Sequence, residues 1–157
     1  MDRLTPEHRS ANMSRIRGKD TKPEWAVRRL LHRLGYRFRL HWKAAPGRPD
    51  VAFPGRRRII FVHGCYWHQH PGCRLATMPS TRREFWEAKF ESNRARDLRV
   101  LARAEAEGWR ALVVWECETR EPATLAIRLV DFLGPAGMDR EMGSADSPKP
   151  APDSDRR

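Results

Sequence analysis

The chain is poor in what membranes, secretion and disulfide scaffolds require. No stretch of its 157 residues approaches the roughly 20 consecutive apolar residues that cross a bilayer. The opening MDRLTPEHRS has no apolar segment of the kind a signal peptide carries. A membrane role is therefore not expected, and the cytoplasm is the expected compartment. Cysteine is scarce: three residues, an odd number. In a reducing compartment they read as metal ligands or free thiols, not as a disulfide framework. No internal repeat is visible, and no stacking-platform motif of an RNA-recognition domain points to RNA. The length suits one domain with tails.

Lysine is also scarce, 5 residues against 26 arginines, yet the formal charge is +11 and the sequence pI about 10.7. A polyanion, nucleic acid first, is the expected partner; a coding bias toward arginine is the bland alternative. The charge is uneven. From Gly134 to Arg157 four basic residues face five acidic ones, so the other 133 residues carry +12. This tail, rich in Pro, Gly, Ser and Asp, is expected to be disordered (134–157). The remainder divides into an N-terminal segment (1–20) and a folded domain (21–133).

Periodicity supplies the elements. Thr21 and Glu24 have capping-box spacing and open a helix from Lys22 to Leu34 that turns Trp25, Leu30, Leu31 and Leu34 inward and stops at Gly35. YRFRLHW alternates as a half-buried strand, PDVAF and IIFVH form two more, and Thr81 with Glu84 caps a long helix ending near Glu107. WRALVVWEC reads as a buried strand and EPATLAIRLVDFLG as a final helix. The order α-β-β-β-α-β-α describes an α/β fold, a mixed central sheet flanked by helices.

Two clusters carry chemistry. Pro49-Asp50 starts one strand and Phe61-Val62-His63 ends its neighbour. A carboxylate and a second oxygen on adjacent strands can hold Mg²⁺ against a phosphate, although a Pro-Asp turn at a strand start is common for structural reasons. The pattern resembles the restriction-endonuclease-like nuclease fold in topology and in its PD half. It departs in the second half, with Phe61 and His63 where an acid and a lysine usually stand, so the Val62 carbonyl has to act as the metal oxygen. The second cluster is Cys65, His70, Cys73 and Cys117, the last at the end of a strand that can return beside IIFVHGC. This is a Cys₃His set suited to structural Zn²⁺. The competing reading makes Cys117 a small buried hydrophobe and Cys65 a free thiol.

The segments NMSRIRGKDTKPE, PGRPDV, IIFVHGCYWHQHPGC, TRREFW, the Asn93 to Asp97 stretch and GWRALVVWEC together resemble the very short patch repair (Vsr) endonucleases, from about Arg9 to Leu133. That resemblance implies a restriction-endonuclease-like fold with a structural zinc site. It also implies an enzyme that nicks double-stranded DNA 5′ of the thymine in a T·G mispair left by deamination of 5-methylcytosine. Asp50 and the Val62 carbonyl map to its Mg²⁺ ligands, His63 and His68 to its histidines, Asp97 to the carboxylate that orients a histidine, and Glu24 to an acid reaching the metal through water. His68 orients or deprotonates the attacking water, since an imidazole titrates near neutral pH. The zinc pattern agrees except that Pro71 and Gly72 separate His70 from Cys73, one residue more than the family has, which leaves His68 as a competitor for the ligand. Tyr66, Trp67 and Trp86 map to aromatics entering the major groove beside the mispair, with core packing the alternative for Trp86. Met13 maps to the minor groove. Arg15, Arg17 and Lys19, with Arg82 and Arg83, are candidate phosphate contacts, and Asn93 a further DNA contact. The implied partners are mispaired duplex DNA and mismatch-repair proteins, and the expected state is a monomer. Two readings compete: a nuclease of the same fold acting on other duplex DNA, and a non-catalytic zinc-containing DNA-binding module.

Overall fold

In a computed structural model, residues 20–137 are described. Helix α1 spans Lys22–Arg33, strands β1, β2 and β3 span Arg39–Leu40, Val51–Phe53 and Arg58–His63, helix α2 spans Arg83–Ala106, β4 spans Arg110–Trp115 and helix α3 spans Pro122–Leu133. The four strands form one mixed sheet in the order β1-β2-β3-β4. β1, β2 and β3 are antiparallel in sequence, whereas β3 and β4 run parallel and pair Arg58 with Arg110 through His63 with Trp115.

β3 is apolar along its length because both of its faces are covered. Ile60 joins one core with Val27, Leu30 and Leu31 of α1 and Leu125, Leu129 and Leu133 of α3. Ile59 and Phe61 join a second core with Ala104 of α2 and Trp109. Strand alternation carries His63 onto this second face, toward α2, while the leucines of α3 recur every fourth residue as a buried stripe.

Three consecutive arginines of the β2–β3 turn do structural work. Arg58 Nε donates to the Phe132 carbonyl and an Arg56 terminal nitrogen to the Leu133 carbonyl, each at 2.7 Å, so both satisfy unpaired acceptors at the end of α3. Arg57 donates to the Glu107 carbonyl at 2.7 Å, just past α2. Part of the positive charge therefore caps helices instead of meeting a polyanion.

Four local expectations are corrected. The alternating strand shrinks to Arg39–Leu40, because His41 takes a left-handed φ of 48° and ends it. Trp25 is 48% exposed and lies on the outer side of α1 under the guanidiniums of Arg28 and Arg29. Thr81 makes no cap: α2 begins at Arg83 after a left-handed Arg82, without a side-chain cap. At α1, Thr21 accepts from the Glu24 N–H, but the Glu24 carboxylate accepts from the Asp20 N–H instead of closing the box on Thr21. Beyond α3, Tyr36 donates its hydroxyl to the Gly134 carbonyl. Met13, Arg15, Arg17 and Lys19, and all of the tail after Gly137, lie outside the described residues.

Candidate active site and metal centre

Asp50 directly precedes β2, and its Oδ2 accepts a 2.7 Å hydrogen bond from the Val62 N–H. In an extended strand the N–H and C=O of one residue project to the same side, so the Val62 carbonyl also faces Asp50. Burial raises the Asp50 carboxyl to about 6, helped by nearby Glu24 and opposed by the Val62 N–H, His41 and Arg28. A pocket of about 350 Å³ opens here, with Glu24, Asp50, Val62, His63, His68 and Asp97 in its wall. Phe61, in the place of an acid, is buried in the second core and offers the pocket only a ring.

Gly47 sets the width of this pocket. Its φ is +76°, and an added Cβ would fall 2.2 Å from Val100 Cγ1 and 3.3 Å from Phe61 Cζ. Gly47→Ala should therefore combine backbone strain with overpacking, roughly 2–4 kcal/mol. The expected outcome is a melting temperature lower by about 10 °C, read by calorimetry.

His63 and His68 stack face to face, with centroids 3.9 Å apart and planes 5° from parallel. His68 Nδ1 lies 2.6 Å from Asp97 Oδ2 on α2, an arrangement that fixes the proton on Nδ1 and leaves Nε2 as an acceptor. His63 is buried, and its Nδ1 has no hydrogen-bond partner among the described residues. Burial and the adjacent His68 push the His63 imidazole down to about 4, so it stays neutral near pH 7.

The thiols converge beyond the same strand ends. His63 pairs with Trp115 across the parallel strands, and Cys65 and Cys117 each follow by two residues. One ligand atom from each of Cys65, His70, Cys73 and Cys117 lies within 4.8 Å of the others. His70 Nδ1 is 3.7 Å from Cys65 Sγ and 3.4 Å from Cys117 Sγ, within the edge of about 3.3–3.8 Å of a tetrahedron with metal bonds of about 2.0–2.3 Å. The donor set and spacing thus fit a closed Cys₃His metal site. His68 points to Asp97 and is not part of this set. The two-residue spacer Pro71-Gly72 is accommodated by a turn in which Gly72 has φ +70°. His70 is held flat against Trp115, with centroids 4.1 Å apart.

Tyr66, Trp67 and Trp86 are half-buried in one aromatic patch. Tyr66 meets Phe90 at 5.2 Å and Trp67 at 5.1 Å, and Trp86 meets Trp67 at 6.2 Å and Phe90 at 5.7 Å. Asn93 donates to the Trp67 carbonyl at 3.1 Å and so braces the loop from α2. Arg82 and Arg83 are exposed, and Arg83 pairs with Glu87. Two site residues escaped the sequence reading. Phe85 continues the aromatic patch outward at 46% exposure, one position from Trp86 in TRREFW. Arg96, exposed at the pocket wall, adjoins Asp97 in a helix full of arginines.

A pocket against a mixed sheet with two neighbouring carboxylates, Glu24 and Asp50, a carboxylate-held histidine and an adjacent thiol cluster defines a hydrolase-like site. The comparisons make it specific. The family described as DNA mismatch endonuclease Vsr matches residues 1–74. The chain is 53% identical over 135 residues to the type II nicking enzyme V.XorIIP of Xanthomonas oryzae, covering 86% of this chain and 98% of that one. It is 45% identical over 112 residues to the DNA mismatch endonuclease Vsr of Escherichia coli, 71% of each chain. It is 36% identical over 128 residues to the type II nicking enzyme V.NmeAIP of Neisseria meningitidis, covering 82% of this chain and 91% of that one. The chain belongs to the Vsr family of DNA endonucleases. Among the described residues no helix is long and apolar enough to cross a membrane.

Proposed function

We propose that this endonuclease nicks duplex DNA on the 5′ side of the thymine in a T·G mispair, using Mg²⁺ at Asp50 and the Val62 carbonyl and structural Zn²⁺ at Cys65, His70, Cys73 and Cys117. The observation that carries the reading is the meeting of Asp50, Val62, His63, His68 and Asp97 in one pocket, a few residues along the chain from the Tyr66-Trp67 patch. A bare DNA-binding module has no use for a histidine held on Asp97 at 2.6 Å.

One carboxylate and one carbonyl form a set suited to Mg²⁺, which keeps waters and takes substrate oxygens. When bound, the ion neutralises phosphate charge and acidifies a coordinated water. Asp97 holds His68 with Nε2 toward the pocket, where it takes the proton of the attacking water. The water oxygen bonds to phosphorus as the bond to the 3′ oxygen breaks, leaving a 5′-phosphate and a 3′ oxygen that takes a proton from a solvent water to become the hydroxyl. His63, neutral and stacked on His68, hydrogen-bonds the crowded phosphate. Glu24 reaches the site through water. Tyr66, Trp67, Trp86 and the outlying Phe85 stack against bases beside the lesion, and a mispair lowers the cost of opening that step.

The test uses labelled duplexes that differ only in T·G or T·A at one position, in several flanking contexts, with Mg²⁺. Nicking should occur in the thymine strand of the T·G duplex alone. Trp67→Ala should lower the T·G over T·A ratio about 10- to 100-fold, the scale of roughly 1–3 kcal/mol per stacked base. Equal cutting of both duplexes would favour the broader nuclease reading, and tight T·G binding without any cut the non-catalytic one.

A further inference from the structure

Arg28 is 5% exposed and lies one helical turn beyond Glu24. One of its terminal nitrogens is 2.9 Å from Asp20 Oδ1, 3.0 Å from Glu24 Oε2 and 3.3 Å from His41 Nε2. That nitrogen has fewer N–H bonds than the groups that crowd it, so the arrangement resembles coordination around a cation. Asp20, Glu24 and His41 are also the one further described set, apart from the two clusters above, whose donor atoms lie close enough together to hold a metal ion, within 4.8 Å. The set adjoins the catalytic pocket through Glu24 and through the backbone of Asp50. Glu24 lines it beside Asp50, and the His41 N–H donates to the Asp50 carbonyl at 3.4 Å. Asp20 is the first described residue and leads back to the N-terminal segment; its own N–H donates to Glu24 Oε2 at 2.8 Å.

We propose that Arg28 is a positioning residue that stands in for a second cation beside the Asp50 site, its guanidinium fixing Glu24 toward the pocket and joining Asp20 and His41 to it. The proposal deepens the Mg²⁺-dependent reading and rests on it for the role of Glu24. Two acids with an imidazole, placed next to Asp50, would otherwise attract a metal of their own and let Glu24 swing; a charge fixed in the fold prevents both.

The experiment counts Mn²⁺ bound per full-length chain by electron spin resonance titration and, separately, measures single-turnover nicking of the T·G duplex. Arg28→Met should bind one more Mn²⁺ than wild type. Its nicking constant at saturating Mg²⁺ should fall about 10- to 100-fold, with duplex affinity within about twofold. Arg28→Lys, which keeps the charge, should bind no additional ion and retain more of the rate. If Arg28→Met does not fold, Arg28→Gln removes the charge while keeping a donor and carries the same expectations. An unchanged ion count in the charge-removing variant overturns the proposal, as does a rate loss no larger than the loss of folded protein by near-ultraviolet circular dichroism. If wild type fails to nick T·G duplexes, the Mg²⁺-dependent repair reading fails, and the ion count still decides whether Arg28 takes the place of a cation.

Discussion

Asp50→Asn should lower nicking by about 10³-fold or more, the scale of about 4 kcal/mol of lost transition-state stabilisation, and at the same time make the protein more stable at pH 7. The two effects have one cause. The carboxylate is buried and its ionised form is disfavoured, which is why it titrates at about 6 and not near 3.8. Keeping it charged at neutral pH costs the fold up to about 3 kcal/mol, at 1.36 kcal/mol per unit. Asparagine has nearly the same shape, and its carbonyl oxygen can still accept the Val62 N–H, so the variant loses the charge without losing the hydrogen bond. A site group that is expensive for stability and necessary for chemistry is the usual form of the trade between the two.

The pH dependence separates this account from a general improvement in packing. For Asp50 the folded value lies above the unfolded one, so its cost is full above about pH 6 and is relieved as pH falls from about 6 toward 3.8. For His63 the folded value, about 4, lies below the unfolded 6.5, so stability is lost as pH falls through that window and the unfolded chain takes up protons first. In wild type the two oppose each other. The histidine effect is common to wild type and Asp50→Asn and cancels between them, so the melting-temperature advantage seen at pH 7 in Mg²⁺-free buffer should shrink as pH falls below about 6 and be nearly gone below about pH 3.8. An advantage that is independent of pH would show that the buried charge is not its source.

The element order was legible because the strongest periodic signals belong to segments whose partners are set by simple geometry. Ile59 to Val62 is apolar throughout because helices cover both faces, and the leucines of α3 recur as a stripe because one face meets the sheet. The Cys₃His cluster was legible from donor chemistry and from the idea that the strand ending at Cys117 returns beside the one before Cys65, which the His63 to Trp115 register places side by side. What could not be read depends on tertiary contacts without local period. Trp25 looks like a core residue on a helical wheel, yet α1 buries Val27, Leu30 and Leu31 instead and leaves Trp25 under arginines. His41 breaks a perfectly alternating strand because its backbone turns left-handed next to Asp50. Arg28 was visible only as an ordinary partner four residues after Glu24, and nothing in the sequence marks it as buried against Asp20 and His41 as well. The arginines at 56–58 carry no local period of their own and cap two helices, since free helix carbonyls are good acceptors for a guanidinium.

Cys117→Ser should reduce bound zinc from one ion per chain to less than about a tenth, lower the melting temperature by at least about 15 °C and abolish nicking, although Cys117 lies outside the catalytic pocket. Between β3 and α2 the chain runs from 64 to 82 with turns but no helix or strand, longer than the roughly 12–15 residues at which an irregular connection inside a compact domain calls for an additional constraint. This connection carries His68, Tyr66 and Trp67, so the histidine proposed to take the water proton and the aromatic patch both depend on whatever fixes it. Few apolar residues on it are fully buried; Cys65 is the main exception, and as a neutral thiol in an apolar setting it is pushed up to about 12. A metal changes that balance, because coordination removes the thiol protons and ties the connection at three points to the end of β4. Structural Zn²⁺ in small sites supplies an apparent 10–16 kcal/mol, comparable to the whole stability of an ordinary domain of about 5–15 kcal/mol. Serine keeps the size of cysteine but is a poor zinc ligand, so the change removes one ligand while leaving the packing nearly intact. Metal analysis and the near-ultraviolet signal of Trp115, stacked on His70, are the direct readouts. Because ligand thiols must be deprotonated, the wild-type protein should also release zinc and lose the same signal on acidification. A Cys117→Ser protein with unchanged melting temperature and full nicking would mean instead that Cys117 is a small buried side chain and that His68 is held by Asp97 and α2 packing alone.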